Sequence, residues 1–140
     1  MKKLLSVLAA VLLATAAAPV HAELSADGVV AVENFNKLEA CLKDMTAILT
    51  KVTDKESADA QAPALIEAAQ ALAAQLAAME TLQHQLKGLP NADDKAAFEQ
   101  CYNNLQVAGM DLQTELRRLA MVNFYDSEVF MNAILSLQQP

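Results

Sequence analysis

The chain has 140 residues and a formal net charge of −7, the length of one domain. That acidity argues against nucleic acid and anionic lipid surfaces as partners, because phosphates repel it. Apolar residues make up 54% of the composition, but alanine supplies much of that share, so the value does not mark a membrane protein.

Residues 1–22 read as a secretory leader. Lys2 and Lys3 form its positive segment and Leu4 to Ala18 its apolar one. Val20-His21-Ala22 then places small residues where signal peptidase cuts. The apolar stretch is short for a bilayer span, and no cysteine follows it to carry a lipid. Cleavage near Ala22 leaves residues 23–140 as a single helical-bundle domain, periplasmic or secreted, without stable membrane anchoring. Loss of Lys2 and Lys3 takes the charge from −7 to −9. No later stretch reads as apolar for long enough to cross a membrane.

Phe35, Leu38, Leu42, Met45, Leu49 and Val52 recur at steps of three and four, the apolar stripe of a first long helix. Val29, Val30 and Val32 extend the stripe backwards, and Ser25 or Asp27 is placed to cap its start. Lys37, Glu39, Lys43, Asp44 and Lys51 fall on the solvated side. Thr53-Asp54-Lys55-Glu56 has the pattern of a capping box for a second helix. Pro63 then implies either a short helical piece before it or one long helix that bends there. Leu65, Ala69, Leu72, Leu76, Met79 and Leu86 carry the second stripe, with Ile66 and Leu82 beside it. Lys87 and Gly88 make a conventional helix end. The alanine-rich run from Ala58 to Ala78 reads as helix propensity and close packing rather than a binding surface.

Asn91 is a candidate N-cap for a third helix, with Asp93 and Asp94 favouring its positive end. Phe98, Tyr102, Leu105, Leu112, Leu116 and Leu119 form its stripe, and Gly109 on that stripe suggests close helix contact. Arg117-Arg118 near its end complements the macrodipole. Asp126 or Ser127 is placed to cap a short last helix with Val129, Phe130, Ala133, Ile134 and Leu137. The expected fold is all-α: an antiparallel bundle of three long helices plus a short C-terminal helix.

Cys41 and Cys101 are the only cysteines. An even count in an exported chain makes them a candidate disulfide between helices one and three. Their heights fit less well, at about 20 Å and about 15 Å along their helices. Phe124, Tyr125 and Phe130 cluster late; such groups supply core bulk, and they are also the candidate ligand or partner surface. Met45, Met79, Met110, Met121 and Met131 are spread between helices, which favours core filling over copper ligation. His84 is the only histidine after the leader and pairs at best with Glu80, so no metal site is expected. Glu33, Glu39, Asp111 and Glu115 read as a solvated face. No serine or cysteine has an evident base and orienting group, so no catalytic residues are assigned.

The length, leader and helical pattern resemble soluble cytochrome b562-type proteins. That resemblance implies a haem held by an early methionine and a late histidine. Here the first methionine after the leader is Met45 and no histidine follows His84, so no haem residue is carried over and no cofactor is expected. The run Asp54, Ser57, Ala58, Pro63 and Leu65 is similar to a segment of uncharacterised exported bacterial helical proteins, which implies a shared layout and no activity. The reading is an exported, non-enzymatic binding or interaction protein, with a protein or small-molecule partner of unknown identity. The alternative is a periplasmic bundle carrying haem or a metal.

Overall fold

The computed structural model describes residues 24–85 and 90–136, with the side chains of His84 and Gln85 left out. The leader, Leu86, Lys87, Gly88 and Leu137 lie outside the described residues. The described residues form α1 (Ala26–Thr50), α2 (Lys55–Gln85), α3 (Ala92–Met121) and α4 (Glu128–Ser136), with a short turn at Asn123–Asp126 before α4. The all-α class, three long helices followed by a short one, therefore holds. The chain divides into two compact units. The first takes the described residues up to Glu39 and Ala74–Gln106, and the second takes Ala40–Ala73 and the residues from Val107 onward.

In the first unit the starts of α1 and α3 lie together. Ser25 is the N-cap of α1, its Oγ accepting the Gly28 N–H at 2.9 Å. Asn91 caps α3 by accepting the Asp94 N–H at 2.8 Å, and Asp94 returns the bond to the Asn91 N–H at 3.1 Å. Both side chains sit where the orphan N–H groups of a helix start need acceptors. Ala31, Phe35, Leu38, Met79, Leu82, Phe98, Cys101 and Leu105 are buried, and the Phe35 and Phe98 rings meet at 5.8 Å. The backward extension of the α1 stripe is corrected. Val29 and Val30 are exposed, and the buried positions are Ala31 and Gly28. A period of 3.6 residues carries the stripe from Phe35 to those two small residues, whatever bulk lies beside them.

In the second unit Leu42, Met45, Leu49, Val52, Ala58, Ala62, Leu65, Ala108, Leu119, Phe130, Ala133 and Ile134 are buried. The α2 cap is shifted by one residue from the expected box. Asp54 accepts the Ser57 N–H at 2.8 Å, and Ser57 Oγ accepts the Asp54 N–H at 3.0 Å and the Thr53 N–H at 2.9 Å. Pro63 lies on the exposed side of one uninterrupted helical element, so no separate piece precedes it. By length and composition alone, Lys55–Gln83 is apolar enough to cross a membrane, contrary to the sequence expectation. Alanine supplies that apolarity, and Ala58, Ala62 and Leu65 belong to the buried core. Ile66, expected beside the α2 stripe, is exposed, and so is Val129 on α4.

Helix α1 has no basic residue in its own last turn. Arg118 of α3 supplies the cation instead, donating from Nη2 to the Leu49 carbonyl at 2.9 Å and from Nη1 to that of Val52 at 3.1 Å. Its Nε donates to Glu115 at 2.7 Å. Arg118 thus neutralises the carbonyl end of a neighbouring helix as well as lying near the end of its own. Ser127 caps α4, accepting the Phe130 N–H at 3.0 Å.

The connection before α4 is unusual. Asn123, Phe124, Tyr125 and Asp126 all have positive φ, between 46° and 55°. The left-handed region costs an ordinary L-residue about 1–2 kcal/mol, and asparagine and aspartate tolerate it best. Tyr125 N–H to Val122 O at 2.9 Å and Ser127 N–H to Phe124 O at 3.2 Å close the turn.

The two described glycines make opposite predictions. A Cβ on Gly28 would collide with the Asp94 carboxylate, whereas a Cβ on Gly109 would meet nothing within 4 Å. Close helix contact at Gly109 is therefore corrected to open space. Gly109→Ala should stabilise by about 1 kcal/mol through helix propensity, and Gly28→Ala should destabilise by about 1–3 kcal/mol through overpacking. Urea titration of both variants reads the two signs.

Candidate functional site

Polar chemistry gathers where helices begin, because the unpaired N–H groups there attract carboxylates and hydroxyls. The most enclosed example is Asp94. Its side chain is 1% exposed and accepts the Ser25 N–H at 2.9 Å and the Ser25 hydroxyl at 2.7 Å, besides the Asn91 N–H. Burial opposes its ionisation, but the bonds from Ser25 and Asn91 outweigh burial and hold the carboxyl below its ordinary value. Every oxygen of Asp94 is thus committed to fastening two helix caps. Beside it, Asp93 Oδ2 is buried without a hydrogen-bond partner among the described residues.

A second cluster joins α2 to α4. The Ser127 hydroxyl donates to Asp59 at 2.5 Å, and Lys55 Nζ lies 2.9 Å from the other carboxylate oxygen. These two donors, Ser127 first, lower the Asp59 pKa. A serine beside a carboxylate and a lysine invites comparison with a nucleophile and its base. Ser127 is fully buried, however, and its Oγ also accepts the Phe130 N–H. A reactive hydroxyl must face substrate, so this one serves as a cap. At the start of α2, Ser57 likewise holds Asp54 ionised through its N–H and hydroxyl.

The cysteines are free thiols, so the expected bridge is absent. Within the first unit, Cys101 Sγ lies 4.0 Å from Asn36 Oδ1. Burial raises both thiol pKa values, with Asp44 adding to the effect at Cys41 and Glu39 at Cys101. A thiol kept protonated is a poor nucleophile.

The late aromatic residues do not form the expected surface. Phe130 is 0% exposed and contacts the Phe124 ring at 6.3 Å. Phe124 and Tyr125 are half-buried against the second unit's core. Their role as core bulk holds, and Phe130 is excluded as a contact for a partner on the folded surface. The methionines divide. Met45 and Met79 fill the core, but Met110 is 68% and Met121 88% exposed.

That exposure reveals a face the stripe analysis missed. Val107, Met110, Thr114, Arg117 and Met121 follow one another at helical spacing along the outer side of α3, and all are exposed. Val107 is 60% exposed. The spread of the methionines between helices favoured core filling, while the signal for a surface was the offset of Met110 and Met121 from Leu105, Leu112 and Leu119. Among the described residues, no group of three or more histidine, cysteine, aspartate or glutamate side chains could hold a metal ion. Comparisons with protein-family models, with curated proteins and with solved structures each find no match.

The free thiols have a direct chemical readout. Alkylation of the unfolded protein without prior reduction should label both Cys41 and Cys101, and intact mass should show two adducts. A chain that accepts label only after reduction would contain the bridge.

Proposed function

We propose that this chain is an exported, non-enzymatic interaction protein that meets a partner protein through the outer face of α3. The observation carrying the reading is the row of Val107, Met110 and Met121 on one solvent-facing side of one helix. Single exposed apolar residues are ordinary, but several on one face give an apolar strip that another helix or groove can cover. Methionine suits such a strip because its unbranched thioether adapts to irregular partners. Thr114 and Arg117 lie between the apolar groups and supply polar contacts at the rim.

Export rests on the leader pattern of residues 1–22, with cleavage near Ala22 and a periplasmic or secreted product. A non-enzymatic role is supported by what the polar groups do. Asp94, Asp54 and Asp59 are engaged with cap residues, and both thiols are held protonated by burial. The acidic surface favours a protein partner over nucleic acid or an anionic bilayer.

Photo-crosslinking side chains at positions 110 and 121, with Glu99 on the same helix as the control position, test both parts of the proposal. Expected is a chain beginning at Glu23 in the periplasmic fraction, with one discrete adduct from positions 110 and 121 and none from 99. An exported chain giving no adduct from either methionine position, or equal adducts from all three, would contradict the proposed surface.

A further inference from the structure

The sequence between Gly109 and Pro140 contains neither glycine nor proline, so α3 and α4 are joined by residues with no special capacity to turn. Nonetheless Asn123, Phe124, Tyr125 and Asp126 are all left-handed. Asparagine and aspartate at the two ends tolerate that conformation, whereas the aromatic pair between them does not. What holds the turn is its surroundings. Asn123 Nδ2 donates to Asp126 Oδ1 at 2.7 Å, Phe124 and Tyr125 pack on the core of the second unit, and Ser127 anchors the start of α4 to Asp59.

We propose that this turn is a strained hinge, and that its straightening runs α3 into α4 as one helix whose last segment docks on a second copy of the chain, giving an exchanged dimer. The occupant is specified by the groove. Met45, Leu49, Ala58, Ala62 and Leu65 already form one buried cluster with Phe130, Ala133 and Ile134, and Asp59 already accepts from Ser127. The α4 of a second copy meets every one of these contacts unchanged, which is the low-cost route by which domain swapping makes dimers. The exchanged form differs from the monomer chiefly at the hinge, where right-handed φ replaces four left-handed residues. Strain confined to a short connection favours exchange, and lengthening the connection opposes it. This inference concerns the α4 groove and stands independently of the α3 face.

Two variants test it. In a Cys41→Ser/Cys101→Ser background, Asp59→Cys with Ser127→Cys places a thiol pair across the α2–α4 contact. Size exclusion with light scattering then separates monomer from dimer at high protein concentration. The expected result is a dimer fraction that oxidises to a covalent dimer on non-reducing gels, alongside a monomer fraction that crosslinks only within one chain. Inserting two glycines after Val122 removes no side chain, permits the turn without strain and interrupts the continuous helix. It should lower the dimer fraction about tenfold or more at equal concentration. A chain that stays monomeric at its solubility limit would overturn the proposal. So would a dimer whose thiols crosslink only within each chain, or one whose abundance the insertion leaves unchanged.

Discussion

The carboxylate of Asp94 is the constraint from which the first unit is built. A buried, ionised carboxyl is costly unless its oxygens are hydrogen-bonded, and Asp94 meets that condition with donors from two separate helix starts. It binds its own cap, Asn91, in a reciprocal box, and it takes both the hydroxyl and the N–H of the α1 cap, Ser25. One side chain therefore fastens the start of α1 to the start of α3. Gly28 follows as a necessity, because any Cβ at that position would occupy the space of the carboxylate. The contact of Cys101 with Asn36 belongs to the same alignment.

The second unit uses the opposite charge at the opposite helix end. Arg118 closes the carbonyl end of α1, where the sequence of α1 offers no cation of its own. Its planar guanidinium suits two carbonyls and a carboxylate at once, a geometry that a lysine ammonium does not reproduce. Ser127 performs a comparable double duty, capping α4 and tying it to Asp59 of α2. Both ends of α1 thus hydrogen-bond to α3, through Asp94 at its start and Arg118 at its carbonyl end. That arrangement suits a core built from alanine and leucine with few aromatic rings, in which dispersion contacts per residue are modest.

Much of the fold was legible because its signals are local and periodic. The leucine-rich stripes predicted the three long helices, Asn91 was recognisable as a cap from residue type and position, and Ser25 and Ser127 were each one of two candidates, beside Asp27 and Asp126. Less legible was anything requiring two distant segments. That Asp94 would fasten Ser25 as well as Asn91, or that Arg118 would serve α1, follows from packing and has no trace in neighbouring residues. Bulk also misled. Val29 and Val30 looked like core, yet the helical period selected Gly28 and Ala31. The left-handed turn was illegible because Phe124 and Tyr125 carry no preference for positive φ. Function was least legible of all, since an exposed row such as Val107, Met110 and Met121 carries no diagnostic motif.

The role of Asp94 as an ionised tie is tested most directly by comparing the unfolding free energies of the wild type and Asp94→Asn from neutral to acid pH. A carboxyl with a lowered folded-state pKa contributes stability that is fully present above its unfolded value of about 3.9, and loses that stability as pH falls through the lower folded value. The wild-type advantage should be constant near neutrality and shrink progressively below about pH 4. An advantage that stays the same across that range, or no advantage at neutral pH, would contradict it.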